Sequence, residues 1–225
     1  VDREDTTAVD ERTAAALARA VEGRLARADV GLVSDYAKGV LTPKLTQQII
    51  RAARRRKVPV LVDPIRGTDY SHYRGATLLT PNRTESEMAS GLRIADGDGP
   101  GRIARRLIAD LKLDAVAITL DKEGIYIARR GRKGILEPTR PRNVFDNAGA
   151  GDMVISAMAI AVASGASFED AAALANVAGG LEVEKLGVQP VTREELASDL
   201  MASSSKVRSL RQLLADLERD RRNGY

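Results

Sequence analysis

Asp146, Gly149, Ala150, Gly151 and Asp152 stand together just ahead of an apolar run that opens Met153-Val154-Ile155. Glycine at 149 and 151 permits a sharp turn and lets a ligand approach the main chain. The first amides of a helix have no intrahelical acceptor, so they can face an anion. Asp152 falls among them, where the helix dipole favours an ionised carboxylate. A phosphoryl group held by amides beside a carboxylate suits phosphoryl transfer. The same residues also fit an ordinary turn with Asp as a cap, the commoner use of a Gly-rich loop. Local sequence leaves both readings open.

Other candidates carry the same ambiguity. Asn82 and Glu85 have the spacing of a capping box, which accounts for the local sequence in full. They also fit a strand end facing phosphates through a magnesium ion that keeps its waters. The stretch from Thr119 to Gly124 is either a pocket wall or a polar turn ended by glycine. Asn176 is polar in an Ala-rich helix, where it reaches a ligand, solvent or a neighbouring helix. Tyr36 and Lys38, next to Asp35, follow a short apolar run, where a sugar or phosphate could lie. His72 reads as a surface loop residue with no partner at catalytic spacing.

Composition excludes several classes. The chain has 225 residues, no cysteine and one histidine, which removes thiolate metal sites and multi-histidine zinc sites. No apolar run has the length of a membrane span and no signal peptide opens the chain, so the expected setting is cytoplasmic, with no membrane partner. The formal net charge is +4, yet aromatic residues make up only 3% of the chain, too few to stack bases. Arg51, Arg54, Arg55, Arg56 and Lys57 suit a helix C-terminus, and no nucleic-acid partner is expected. Walker A, protein-kinase and dinucleotide fingerprints are absent.

The elements that must position these residues alternate. Continuous apolar runs at 30–33, 58–62, 76–80 and 115–119 read as buried strands. The runs at 125–128 and 134–136 read as an antiparallel pair. Helices are expected after Asp10, over 43–57, from Pro81-Asn82, after the break at 97–101, and over about 152–164 and 168–185. Thr192 and Glu195 form a further capping box, 201–205 reads as a linker, and Leu210, Leu213, Leu214 and Leu217 share one face of a last helix. Apolar strands alternating with helices predict a mostly parallel sheet covered on both faces, a three-layer α/β fold. Ligands bind such sheets at the strands' carboxyl ends. Ser34 to Gly39, Asp63 to Arg66, Pro81 to Glu85 and Thr119 to Gly124 all fall there.

Taken together, Asp146-x-x-Gly149-Ala150-Gly151-Asp152 resembles the second signature of the ribokinase-like (PfkB) carbohydrate kinases, and Asn82-x-x-Glu85 is similar to their magnesium and phosphate motif. Ser34-Asp35-Tyr36-Ala37-Lys38-Gly39, the stretch from Tyr73 to Asn82 and Lys185-Leu186-Gly187 resemble the kinase domain of bacterial heptose-phosphate kinases, which serve ADP-heptose and lipopolysaccharide synthesis. The resemblance covers about residues 1–200. It implies an ATP-dependent kinase acting on the anomeric hydroxyl of D-glycero-β-D-manno-heptose 7-phosphate; another sugar kinase of the superfamily and a non-catalytic nucleotide-binding module are the alternatives.

In that frame Asp152 is the general base, and Gly149, Ala150 and Gly151 form the anion hole. Asn82 and Glu85 place Mg2+ and its waters, while Thr119, Gly124 and Asn176 lie by the nucleotide. Asp35, Tyr36 and Lys38 face the sugar phosphate. Relatives also bind a monovalent cation near the loop corresponding to Asp146 and Gly187; Asn147 and Ala148 depart from their usual residues. A homodimer is expected. So is a fold lacking its N-terminal part, with 201–225 leading toward a fused nucleotidyltransferase domain.

Overall fold

The computed structural model describes residues 4–94, 98–140, 142, 145–146 and 148–206, with the backbone alone over 202–206. The chain divides into two compact units, Val1–Gln189 and Pro190–Tyr225. The first holds a six-stranded mixed sheet in the order β1 (Gly31–Ser34), β2 (Val60–Asp63), β3 (Leu78–Leu79), β4 (Ala115–Thr119), β5 (Gly124–Arg129), β6 (Ile135–Pro138). β1 to β4 run parallel, and β5 and β6 return antiparallel as the expected hairpin.

Side-chain alternation explains the layers. Val60, Val62, Val116 and Ile118 join one apolar cluster with residues of α1 (Glu11–Leu25), α2 (Pro43–Arg56) and α4 (Gly99–Leu111). Leu61, Ala115, Ala117 and Ile127 are equally buried but lie outside that cluster. They serve the opposite face, where α5 (Ala150–Ala163) packs on β1 and β2, and α6 (Phe168–Glu182) packs on β5 and β6. Burial on both faces is why these strands are continuous apolar runs. α5 and α6 approach closely because their contact is built from small residues; a Cβ on Gly179 would lie 2.9 Å from Val154 Cγ2.

The helix starts follow their caps. Asp10 accepts from the Thr13 amide at 2.7 Å, Thr42 from Leu45 at 3.2 Å ahead of Pro43, and Ser167 from Asp170 at 3.1 Å. Asn82 caps α3 (Arg83–Ser90). In the second unit, Thr192 and Glu195 form the expected capping box at α7 (Arg193–Lys206).

Three expectations change. The 76–80 run is a regular strand only over Leu78–Leu79, although the Thr77 and Thr80 amides still bond the Val60 and Val62 carbonyls. α6 ends at Glu182, because Gly187 and Pro190 follow within a turn or two. Residues 201–205 are helical: α7 continues to Lys206, since Ala, Ser and Met carry no helix-breaking constraint. The last expected helix, Leu210 to Leu217, lies outside the described residues, as do Gly97 and Asn147.

The register aligns the strand ends. Ser34 stands beside Asp63, and an isolated parallel bridge joins Asn82 to Thr119 just past β3 and β4. One sheet edge therefore carries polar residues from four successive strands. The hairpin is fixed on its far side by Gly124, which has φ 116°; a Cβ there would lie 2.0 Å from the Glu137 carbonyl oxygen. Gly124→Ala should lower the unfolding free energy by roughly 2–4 kcal/mol, measured by urea denaturation. A loss below about 0.5 kcal/mol would mean that the hairpin tolerates the side chain.

Candidate active site

Gly149 caps α5 from the left-handed region, at φ 93°, and a Cβ there would lie 2.9 Å from Val188 Cγ1. Only glycine satisfies both constraints without strain. The side of Gly151 is open space. Ala150 and Gly151 line a cavity of about 560 Å³, together with Asn82, Thr119, Gly124 and Asn176. Six of the residues singled out in the sequence thus meet on one concavity. Lys122, Arg140 and Arg142 line it too, giving it a cationic wall. Arg142 is held by Glu184 at 2.9 Å and lies over Gly180, where a Cβ would stand 2.6 Å from its Nε. Arg83 bonds Asp121 at 3.3 Å and also pairs with Glu123, tying the 121–124 turn to α3.

Asp152 lies in the first turn of α5 and accepts a hydrogen bond from the Tyr36 hydroxyl across the sheet edge. Asp63, at the end of β2, sits within electrostatic range of both Asp152 and Glu85. Burial, opposed by the Thr80 hydroxyl bond at 3.1 Å and aided by those two charges, pushes the Asp63 carboxyl up to about 6. Burial also pushes Glu85 up, against its bonds to Asn82 and the charge of Arg66. Among the described residues no three His, Cys, Asp or Glu side chains converge to chelate a metal directly. Desolvated carboxylates without direct chelation fit a divalent ion held largely by its own waters and by a ligand's phosphates. Asp63 and Arg66 were passed over in the sequence as part of a strand-end loop; an Asp closing a fully apolar strand was the signal for the first.

Several expected residues hold the frame. Asn82 and Glu85 form the capping box in full: Asn82 Oδ1 accepts from the Glu85 amide at 2.9 Å and Glu85 Oε2 from the Asn82 amide at 2.8 Å. Asn176 also ties α6 to the hairpin. Its Oδ1 accepts from Thr139 at 2.9 Å, and its Nδ2 donates to the carbonyls of Glu137 and Pro138 at 3.2 and 2.9 Å. The Asp35 side chain is buried and accepts from the Tyr73 hydroxyl at 2.7 Å and the Ala37 amide at 3.0 Å, which shapes its loop. Lys38 pairs with Glu4. His72 corrects the expectation of a surface residue: its side chain is 14% exposed, its Nε2 lies 3.9 Å from Asp35, and its ring packs on Tyr73. Asp146 accepts from the Ala148 amide at 2.9 Å, closing the turn ahead of Gly149.

The raised Asp63 carboxyl has a measurable sign. A carboxyl that binds its proton more tightly folded than unfolded loses stability for the fold as pH rises from about 3.8 through about 6. In chelator, Asp63→Asn should melt a few degrees above wild type near pH 7, and the two should converge toward about pH 4. Equal melting temperatures at both pH values would show that Asp63 is not desolvated as described.

The family model "pfkB family carbohydrate kinase" matches residues 1–195. The Bifunctional protein HldE of Syntrophotalea carbinolica is 43% identical over 228 residues, covering 99% of this chain and 46% of that protein. The HldE of Geobacter sulfurreducens is 48% identical over 174 residues, covering 77% of this chain and 35% of its own length. The chain thus spans about half, or less, of the curated relatives it matches. An Arabidopsis thaliana ribokinase solved with ribose and ATP superposes with TM-score 0.69 at 22% identity, over 79% of this chain and 57% of that one. Phosphofructokinase-2 from Escherichia coli, solved with potassium, gives 0.71 at 20% identity over 85% and 62%. These two establish the ribokinase-like three-layer fold. With a family match across residues 1–195, the chain belongs to the pfkB family of carbohydrate kinases.

Proposed function

We propose that the intact gene product transfers the γ-phosphoryl group of ATP to the anomeric hydroxyl of D-glycero-β-D-manno-heptose 7-phosphate, a step toward ADP-heptose and lipopolysaccharide. The observation that carries the kinase reading is the start of α5: first-turn amides entered through a left-handed glycine, beside the cavity and next to an exposed carboxylate. The heptose reading is supported by identities of 37–48% to HldE proteins and by the Ser34–Gly39 and Tyr73–Asn82 stretches.

In this reading the nucleotide occupies the cavity, with its phosphates toward Lys122, Arg140 and the amides of Ala150 and Gly151. Asp152 takes the proton of the acceptor hydroxyl. The freed oxygen bonds to the γ-phosphorus, the bond to the bridging oxygen breaks, and ADP leaves. The hydroxyl grows acidic as the new bond forms, so a carboxylate serves as the acceptor late in the transfer. Alignment and charge stabilisation supply most of the acceleration. Magnesium, when bound near Glu85, Asp63 and Asn82, would neutralise phosphate charge.

A monovalent cation belongs to the same reading, at the loop of Asp146. Glu182 there is 1% exposed, and its Oε2 has no hydrogen-bond partner. Burial and the charge of Asp146 push its carboxyl up, with Lys185 opposing. A cation beside Glu182 and Asp146 would relieve that cost. The fused nucleotidyltransferase domain, a homodimer and a cytoplasmic setting complete the proposal. The word "Bifunctional" in the relatives' name supports the fusion. None of the described helices is long and apolar enough to cross a membrane.

Asp152→Asn should leave Mg-ATP affinity within about twofold by isothermal titration while lowering kcat by about 10²–10⁴-fold. Surviving turnover would remove Asp152 as the base. Product assays with heptose 7-phosphate, ribose and fructose 6-phosphate should show transfer to the heptose. Transfer only to another sugar would overturn the substrate, and Mg-ATP binding with no transfer to any sugar would favour a nucleotide-binding module.

A further inference from the structure

The Tyr36 hydroxyl donates to Asp152 Oδ1 over a separation of 116 residues, so no local turn explains the contact. Nor does packing explain it: Tyr36 is 57% exposed, whereas a tyrosine held for its ring would be buried. The loop that presents it is fastened on several sides. The Asp35 amide donates to the Asp63 carbonyl at 3.0 Å, and the Tyr73 hydroxyl holds Asp35 Oδ2 at 2.7 Å. Ala37 is held at φ 54°, and the Gly39 carbonyl accepts from the Val9 amide at 2.9 Å. A left-handed alanine persists only where its surroundings fix it. The backbone on either side of Tyr36 is therefore set, and its hydroxyl points at one oxygen of the carboxylate.

We propose that Tyr36 is a positioning residue for phosphoryl transfer: by donating to Oδ1 of Asp152 it fixes the plane of the carboxylate and leaves Oδ2 as the oxygen that receives the acceptor's proton. This rests on the reading of Asp152 as the base. The bond to Asp152, with burial, pushes the Tyr36 phenol up to about 12, so it keeps its proton and donates throughout turnover. The balance is simple. The acceptor's proton moves to Oδ2, its oxygen bonds to the γ-phosphorus, the bridging bond breaks, and the Tyr36 proton stays where it is. The role differs from a sugar contact, in which the ring or the hydroxyl would touch substrate and set its affinity.

The test is steady-state kinetics on the intact gene product. Tyr36→Phe keeps the ring and removes the donor, and Tyr36→Leu is a second variant without the hydroxyl. Both should lower kcat by about 10- to 100-fold, with KM for ATP and for the sugar within about twofold and melting temperatures near that of wild type. In an Asp152→Asn background, Tyr36→Phe should change the residual rate by less than about twofold, because the oxygen it orients no longer takes a proton. A Tyr36→Phe kcat equal to wild type overturns the proposal. So does a raised sugar KM at unchanged kcat, or a full effect in the Asp152→Asn background. A wild type that transfers phosphate to no sugar overturns the kinase reading first and this inference with it.

Discussion

An α-helix begins with amides that nothing in the helix can satisfy, and the first turn of α5 leaves them facing a concavity. Three features of the chain enforce that arrangement. Gly149 enters the helix from the left-handed region under the Val188 side chain. Ala150 and Gly151 are too small to cover the amides they carry. Small residues let α5 and α6 pack closely, so the turn is held rigidly against the sheet. An anion held there by backbone amides would need no side chain to reorganise as charge develops, which is the requirement phosphoryl transfer makes of a protein.

The remaining polar groups are organised by strand register. Parallel strands end on one side of the sheet, so Asp35, Asp63, Asn82 and Thr119 meet there although they are far apart in the chain. The consequence is negative charge gathered at the partly buried Asp63 and Glu85 and the exposed Asp152, with Arg66 as the nearby cation acting on Glu85. Such a cluster is costly by itself and would be relieved by a bound cation. The capping box at Asn82 and Glu85 uses the Glu85 oxygen that bonds the Asn82 amide, so the structural role occupies one carboxylate oxygen.

The fold was legible because buried parallel strands are written as unbroken apolar runs, and the caps at Asp10, Thr42, Asn82 and Ser167 mark helix starts locally. Of the site, the glycines and Asp152 were legible for the same reason: a turn into a helix is encoded within a few residues. The bonds that Asn176 and Asp35 make were not, because what a polar side chain meets depends on what the tertiary fold places opposite it. Here Asn176 bonds the end of the hairpin, and Asp35 accepts from Tyr73. The His72 environment was hidden likewise, since Asp35 and His72 are neighbours only through the β1–β2 pairing. The contact between Tyr36 and Asp152 joins the loop after β1 to the first turn of α5 across 116 residues and has no local signature at all.

The most direct measurement is a crystal structure of the protein with magnesium and a non-hydrolysable ATP analogue. The account predicts the terminal phosphate within hydrogen-bond reach of the Ala150 and Gly151 amides, the nucleoside in the cavity between Lys122 and Gly180, and the metal on the Glu85 side of the phosphates. A nucleotide bound elsewhere, or phosphates turned away from the first turn of α5, would contradict it.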